Sequence, residues 1–116
     1  MPRVGVRELK NRTSMPQTTD AQAVAERIAR LTVPVSSLET VYVWARPWGF
    51  ECWLIANRST GEERFHLYDA EWELMEQSPD WGFKFTLVDR EDRPLPEVVS
   101  VEEVDAVAQR SAPRNA

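Results

Sequence analysis

The sequence predicts a single α+β domain in which an antiparallel three-stranded meander is flanked by helices. Three observations favour this fold class. The chain has 116 residues, the length of one domain. All eleven aromatic residues lie between Tyr42 and Phe85, so the core is expected within roughly residues 40–90. Apolar residues recur with a helical period on both sides of a region where they alternate with the period of a strand.

The first predicted element is an amphipathic helix over residues 20–31. Asp20 is a suitable N-cap residue, because its carboxylate can accept a hydrogen bond from a free amide of the first turn. Pro34 ends the helix, since its ring removes a backbone donor. The apolar face is expected to consist of Val24, Ile28 and Leu31.

The next segments alternate with a period of two and are predicted to be strands. Residues 40–46 and 50–57 are joined by the turn Pro47-Trp48-Gly49. A third short strand, 63–68, follows a second turn at 57–62. The shortest connections between these strands give the antiparallel meander. Both faces of the middle strand are largely apolar, so each is expected to be covered by other elements or by a partner.

From Asp69 onward the helical period returns. Asp69 can cap this second helix, which Ser78-Pro79 ends. Glu71, Glu73 and Glu76 are expected to face the solvent. The buried stripe is expected to consist of Leu67, Tyr68, Trp72, Leu74 and Met75.

The last third of the chain is predicted to form a strand pair and a helix. Residues 83–88 alternate as a strand, and residues 94–99 form an edge strand whose two prolines cannot donate to a ladder. Ser100 and Glu103 have the spacing of a capping box, which predicts a closing helix through about Ala108.

Three parts of the chain are therefore distinguished. Residues 1–14 form a basic N-terminal segment that contains a strand and a helix start. Residues 15–108 form the α+β domain, and residues 109–116 form a flexible tail.

Composition argues against several classes of protein. One cysteine, Cys52, cannot close a disulfide within the chain, and with the single histidine, His66, it cannot supply the ligands of a zinc site. Cys52 lies in an apolar strand, where a thiol is a small buried hydrophobic group. We therefore expect no metal, no cofactor and no enzymatic activity. The sequence also has no run of about 18 apolar residues and no signal peptide, so a cytoplasmic protein without membrane contact is expected.

Charge is divided unevenly along the chain. Residues 1–14 contain four basic residues and one acidic residue, a net charge of +3, whereas the remainder has ten basic and eighteen acidic residues, a net charge of −8. An acidic body repels polyanions, so only the N-terminal segment is expected to contact phosphates. The alternative is that this short basic segment is merely solvated.

Residues 4–14, with the sequence VGVRELKNRTS, resemble the opening of the prevent-host-death (Phd/YefM) antitoxins of type II toxin–antitoxin systems. In that family a short strand leads into a helix. Residues 85–107 are similar, more weakly, to the strand–turn–strand–helix of the same family, with Arg90 at the basic position of the hairpin. The matching N-terminal positions are Val4, Val6, Glu8, Leu9, Lys10 and Ser14.

The resemblance implies a non-enzymatic, homodimeric antitoxin that binds operator DNA and neutralises a cognate toxin. Phosphate contacts require cations held at a spacing that the dimer defines. The residues that the resemblance assigns to DNA are Arg3, Arg7, Lys10, Arg12 and Arg90.

Partner-binding residues are proposed from the residue types themselves. Trp48 is expected to be exposed because it lies in a turn, whereas the other tryptophans are expected in the core. Glu71, Glu73 and Glu76 belong to an acidic run, 69–80, which suits a basic partner surface. The alternative is that this run is one solvated helix face.

A second hypothesis places the function in a different class. In it, residues 1–14 are a vestigial antitoxin-like remnant in front of a standalone α+β protein-interaction module that begins at Met15-Pro16. A third hypothesis is an enzyme whose site the sequence does not reveal. Deletion of residues 1–14 separates the first two, since an interaction module would lose nothing by it.

Overall fold

A computed structural model describes residues 18–98 and 102–109. They form a four-stranded mixed sheet with two long helices packed on one face, so the predicted α+β class is confirmed. In chain order the elements are helix α1 (Thr18–Leu31), strands β1 (Leu38–Arg46) and β2 (Gly49–Ala56), helix α2 (Gly61–Gln77), strand β3 (Gly82–Asp89), the short helix α3 (Leu95–Val98) and strand β4 (Ala106–Gln109).

The strand order in the sheet is β3-β2-β1-β4. Strands β1 and β2 form the predicted antiparallel hairpin, with Val43 opposite Cys52, and β4 pairs antiparallel with the other side of β1. Strand β3 runs parallel to β2, with Ala56 opposite Asp89. This parallel pairing follows from the connection, because α2 carries the chain back along the sheet before β3 begins.

Helix α1 confirms the predicted amphipathic helix but begins two residues earlier, so Asp20 lies within the first turn. Its buried face consists of Ala21, Ala25 and Ile28, with the predicted Val24 and Leu31 only partly buried beside them. At its end, the Thr32 amide and hydroxyl both donate to the Ile28 carbonyl oxygen, at 3.0 and 2.7 Å.

The predicted strand 63–68 is wrong, because these residues belong to α2. A capping box starts this helix at Gly61. The Thr60 hydroxyl accepts a hydrogen bond from the Glu63 amide at 3.1 Å, and the Glu63 carboxylate accepts one from the Thr60 amide at 3.0 Å. Two amides of the first turn are thereby paired, which stabilises the helix locally against the predicted turn and strand. The meander is therefore replaced by the β1–β2 hairpin and the parallel strand β3.

The prediction for the C-terminal part also requires correction. Residues 95–98 form a helical turn in place of an edge strand, and residues 106–109 form β4 in place of a helix. Asp105 explains the second difference. Its carboxylate accepts from the Ala45 amide at 2.7 Å, and its amide donates to the Val43 carbonyl oxygen at 3.1 Å. These bonds dock the segment on β1, whose backbone groups would otherwise lack a partner on that side. Ser100 and residues 110–116 lie outside the described residues.

Both faces of the central hairpin are covered, as predicted. The face toward α1 and α2 contains the larger core, whose fully buried side chains include Val41, Val43, Phe50 and Leu54. The opposite face contains Tyr42, Trp44 and Ile55. They pack against Leu95 of α3 and Val104, which precedes β4. The Trp44 indole nitrogen donates to the Glu102 carbonyl oxygen at 2.8 Å, and this hydrogen bond joins the chain before β4 to the second face of the hairpin.

The parallel pair β2–β3 begins at a close approach of two glycines. Gly49 has a φ of 148°, and a Cβ atom at this position would collide with the backbone of Gly82. A Cβ atom on Gly82 would lie 2.6 Å from the Trp48 carbonyl oxygen. Neither position has room for a side chain, so the two glycines permit the strands to start side by side.

Replacement of Gly49 by alanine is expected to destabilise the domain by about 3 kcal/mol, because it combines backbone strain with a backbone clash. Gly61 is the matched control, since a Cβ atom there meets nothing within 4 Å at the start of α2. Gly61→Ala should be neutral or stabilise by up to about 1 kcal/mol. Urea unfolding of the three proteins measures both effects, and a Gly49→Ala variant as stable as the parent would contradict the close approach.

Candidate protein-interaction surface

Helix α2 carries apolar side chains on two opposite faces. One face packs on the sheet and consists of Leu67, Ala70 and Leu74. The other contains Phe65, Tyr68 and Trp72, which recur at i, i+3 and i+7 and are exposed by 70%, 51% and 62%. In the described part of the chain five large apolar side chains are exposed, and these are three of them. We call Phe65, Tyr68 and Trp72 the aromatic stripe.

The aromatic stripe is organised by contacts along the helix. The rings of Phe65 and Tyr68 meet edge to face, with their centroids 6.5 Å apart. The Trp72 indole nitrogen donates to the Glu76 carboxylate at 2.9 Å. These contacts favour particular positions for the three rings, so a partner would meet a partly ordered apolar surface.

Acidic side chains flank the aromatic stripe. Asp69, Glu73 and Glu76 are exposed on the same helix, and residues 65–83 contain no lysine or arginine. The Glu73 carboxylate accepts from the Gln77 amide side chain at 3.0 Å. An apolar surface with an acidic rim is complementary to a partner segment that combines apolar groups with lysine or arginine.

Glu71 differs from the other acidic residues of α2. Its side chain is half-buried on the side of the helix nearer the sheet. Burial raises the pKa of its carboxyl from the usual value of 4.5 to about 7. Near neutral pH this group is therefore only partly ionised, and Asp69, Glu73 and Glu76 supply most of the negative charge.

Asp89, the last residue of β3, holds the loop that leads into α2. One carboxylate oxygen accepts from the Ser59 amide and the Ser59 hydroxyl, both at 2.7 Å. The other oxygen accepts from the Arg58 amide at 2.8 Å and from the Glu91 amide at 3.0 Å. We call this set of four hydrogen bonds the Asp89 clamp.

The hydrogen bonds of the Asp89 clamp outweigh the effect of burial on its acidity. Burial acts to raise the pKa of the Asp89 carboxyl, but the bonds from Ser59 and the amides of Arg58 and Glu91 lower it to about 2. The carboxylate form is thus the one that the fold binds. The clamp is consequently expected to persist at all but strongly acidic pH.

An open cleft of about 410 Å³ lies beside the Asp89 clamp, at the carboxyl ends of the parallel strands. In open α/β sheets this edge is where ligands commonly bind. Here the polar groups are engaged within the protein. The Arg64 guanidinium donates to the Ser59 carbonyl oxygen at 2.9 Å, and Arg58 forms an ion pair with Asp92. The cleft is best explained as part of the scaffold. Its lining consists of Arg58, Ser59, Arg64, Asp89 and Glu91.

Of the predicted partner-binding residues, Glu73 and Glu76 lie beside the aromatic stripe and Glu71 lies nearer the sheet. Trp48 is 52% exposed in the β1–β2 turn, where the sequence places it, and it belongs to a different element from the stripe. The predicted DNA-binding residues Arg3, Arg7, Lys10 and Arg12 lie outside the described residues.

Arg90, the remaining predicted DNA-binding residue, is engaged within the fold. Its guanidinium makes two hydrogen bonds to the Glu39 carboxylate, at 2.8 and 3.1 Å. A third donor binds the Arg93 carbonyl oxygen at 2.9 Å. Its contacts stabilise the end of β3 against the start of β1.

The exposed position of Tyr68 and Trp72 corrects their assignment to a buried stripe, and Phe65 was missed as a surface residue. The wrong strand at 63–68 hides Phe65, and the predicted stripe combines residues from two separate apolar faces of α2. The capping-box spacing of Thr60 and Glu63 indicates a helix from Gly61, and a helix of that length shows two separate apolar faces. This spacing is the sequence feature from which the surface could have been found.

Trp44 and Trp53, on the sheet face that α1 and α2 do not cover, lie beside a cation of the chain itself, Arg46. Trp44 and Trp53 meet edge to face with their centroids 6.0 Å apart. The guanidinium carbon of Arg46 lies 5.7 Å from the Trp44 ring centroid, and Arg46 forms an ion pair with Glu51 at 2.8 Å. This cluster is therefore a packing arrangement of the chain's own side chains.

Cys52 and His66 are not brought together as a reactive pair. Cys52 is fully buried, and chiefly burial, then the charges of Glu71 and Glu51, raise the pKa of its thiol. His66 is exposed on α2. Within residues 18–98 and 102–109, no group of side chains has the arrangement of a metal site, and no helix has the length and apolar character needed to cross a bilayer.

Comparisons with known proteins identify no relative. No protein-family model, no curated protein and no solved structure matches the chain. Its function is therefore inferred from the arrangement of its own side chains.

Removal of the Asp89 charge is expected to weaken the start of α2. Asp89→Asn should cost about 2 kcal/mol at neutral pH, because an amide offers one acceptor oxygen where the carboxylate offers two. Asp80→Asn, an exposed aspartate on the loop after α2, should change little.

The same variant tests the pH dependence of the Asp89 clamp. A carboxyl whose pKa is lowered by folding, here from 3.8 to about 2, stabilises the protein above pH 3.8 and loses that effect as the pH falls toward 2. Urea unfolding should therefore show the deficit of Asp89→Asn at neutral pH shrinking toward pH 2. A deficit that does not change with pH would contradict this explanation.

Glu71 has the opposite pH dependence. Since its pKa is raised from 4.5 to about 7, ionisation destabilises the fold progressively between these pH values and by a constant amount above them. Glu71→Gln removes the buried charge and should stabilise the domain near pH 8. The gain should be only about 1 kcal/mol, because solvent screens a half-buried group, and it should nearly vanish below pH 4.5. Thermal unfolding across this range, with Glu73→Gln as the exposed control, measures the difference; an equal gain in both variants would argue against burial as the cause.

Proposed function

We propose that this domain is a non-enzymatic protein-binding module in which the aromatic stripe of α2 docks a basic, partly apolar segment of a partner protein. The observation that carries the proposal is the exposure of three large aromatic side chains on one face of a helix whose opposite face is buried. Contiguous exposed apolar groups with a polar rim are typical of protein-interaction sites. Burial of each ring by a partner would contribute about 1.5–3 kcal/mol.

The charge around the aromatic stripe favours a protein partner over a nucleic acid at this surface. Aromatic side chains that stack on single-stranded nucleic acids are accompanied by lysine or arginine, which contact the phosphates. Here the neighbouring exposed groups are Asp69, Glu73 and Glu76. Phosphates would be repelled, whereas lysine and arginine side chains of a protein would be attracted.

The antitoxin hypothesis gives this proposal a specific form. The basic partner would be a cognate toxin, and the N-terminal cations would bind operator DNA in a homodimer. What supports this form is the charge division, +3 over residues 1–14 against −8 over the remainder. A protein that binds both DNA and a basic protein benefits from keeping its positive and negative surfaces on separate segments.

Removal of the Trp72 ring is expected to weaken binding of a cationic apolar peptide. The probe is a blocked ten-residue peptide of alternating lysine and valine, and its affinity is measured by isothermal titration calorimetry. Trp72→Ala should lower the affinity at least tenfold, which corresponds to about 1.4 kcal/mol. Trp48→Ala is the matched control, since Trp48 is a comparably exposed tryptophan outside α2.

Two further controls test the charge component of this prediction. Glu73→Lys on α2 should lower the affinity for the peptide, most strongly at low salt. Glu26→Lys makes an equal change of net charge on the exposed side of α1 and should leave the affinity unchanged. A glutamate–valine peptide should not bind. If Trp48→Ala weakens binding as much as Trp72→Ala, the assignment of the surface to α2 is wrong.

The DNA-binding part is tested separately on the full chain. Fluorescence anisotropy with DNA from the protein's own promoter should show salt-sensitive binding that Lys10→Ala weakens across all sequences. Glu26→Ala serves as a control at a site remote from the basic segment in the sequence. Lack of binding at low salt would contradict the antitoxin form and leave the protein-binding module in place.

A further inference from the structure

Strand β3 has one free edge. It is the outermost strand of the sheet and pairs only with β2 among the described residues. The Arg90 amide donates to the Ala56 carbonyl oxygen at 2.9 Å, so the backbone N–H and C=O groups of even-numbered residues are directed toward β2. Because the direction alternates along a parallel strand, the backbone amides and carbonyls of Phe83, Phe85 and Leu87 are directed away from the sheet.

This edge lacks most of the features that protect natural sheet edges. Exposed edge strands are usually short, charged, bulged or interrupted by proline. Strand β3 has eight residues, no proline and a single lysine, Lys84. The other edge strand, β4, has four residues. A long apolar edge of this kind is a template for another strand.

The side chains along β3 provide an apolar floor for such a strand. The rings of Phe83 and Phe85 stack with an interplanar angle of 6° and centroids 5.7 Å apart. Phe83 also stacks on Phe50 of the core, at 5.7 Å. Both β3 rings are only half-buried, on the sheet face that α2 covers.

Within the aromatic stripe, Tyr68 is the residue on the side of this edge. Gln77 of α2 contacts Arg27 of α1, so its side of the helix faces α1. Tyr68 precedes Gln77 by nine residues, which places it half a turn around the helix and therefore on the side away from α1. Helix α1 packs on β1 and β4, and α2 packs toward β3. The far side of α2 is thus the side of the free edge.

We propose that the free edge of β3 pairs with an extended, basic segment of the partner protein, which becomes a fifth strand beside α2. This inference rests on the proposed function, since the same segment would contact Tyr68 of the aromatic stripe. Backbone hydrogen bonds to Phe83, Phe85 and Leu87 would hold the segment, and its apolar side chains would lie against the phenylalanine rings. Charge complementarity selects the occupant, because residues 65–83, which include most of α2 and the start of β3, contain five acidic residues and no lysine or arginine.

The test uses the full chain and the alternating lysine–valine peptide. A second version of the peptide carries N-methyl groups on its four central amides, which removes its backbone donors on both edges while keeping every side chain. We expect the methylated peptide to bind at least tenfold more weakly. Equal binding of the two peptides, with Trp72→Ala still harmful, would overturn strand addition and leave the proposed function intact.

A pair of protein variants tests the same edge from the other side. Phe85→Ala removes the ring and keeps the outward amide, whereas Phe85→Pro removes both, at a position where proline is tolerated in edge strands. Circular dichroism and thermal unfolding establish which variants fold. A folded Phe85→Pro variant should bind the unmethylated peptide at least fivefold more weakly than Phe85→Ala, and equal affinities would contradict the proposal. If Phe85→Pro does not fold, the methylated peptide decides.

Two other results concern failure of the proposed function and self-association of the chain. If neither methylation nor Trp72→Ala affects binding, the proposed function fails together with this inference. Sedimentation equilibrium identifies a second copy of the chain as the occupant. A dimer that is lost in folded Phe85→Pro but persists in Phe85→Ala would assign the edge to self-association and overturn the basic partner strand.

Discussion

The Asp89 clamp is the interaction on which the arrangement of this domain depends most directly. One carboxylate at the end of β3 accepts four hydrogen bonds from residues that follow β2 and β3. The loop that it holds leads within two residues to the capping box of α2. The clamp thus fixes where α2 begins relative to the parallel strands, and the apolar residues Leu67, Ala70 and Leu74 then determine which helix face is buried. A surface charge thus acts as a structural element because its hydrogen bonds outweigh the cost of its burial.

The placement of α2 separates the functions of its two apolar faces. Leu67 and Leu74 supply core packing, whereas Phe65, Tyr68 and Trp72 add little to the fold and remain available to a partner. The free edge of β3 lies on the side of α2 that carries Tyr68, so an exposed aromatic ring and unpaired backbone groups of the described structure lie on one side of the helix. An extended segment bearing lysine or arginine could pair with these backbone groups, contact Tyr68 and offset the negative charge of residues 69–80, which is the physical basis for the proposed mode of binding.

Local sequence patterns predicted some elements and failed at others for an identifiable reason. The periods of α1, β1, β2 and β3 are evident from the residues alone, and all four form. Thr60 and Glu63 have the same capping-box spacing as Ser100 and Glu103, yet a helix follows the first pair, whereas a strand forms at residues 106–109. Close to the second pair, Asp105 bonds the backbone of β1 at Val43 and Ala45. A neighbouring strand with free backbone groups therefore outweighed the local preference.

The amino-acid sequence by itself determined the single α+β domain, the confinement of the aromatic residues to its centre, the two apolar faces of the hairpin and the division of charge between the N-terminal segment and the body. Only the tertiary structure decided that β3 runs parallel to β2, that β4 replaces a helix, and that Tyr68 and Trp72 are exposed while Leu67 is buried. The physical reason is that periodicity specifies which faces are apolar, whereas hydrogen bonds and contacts between distant residues specify what covers them.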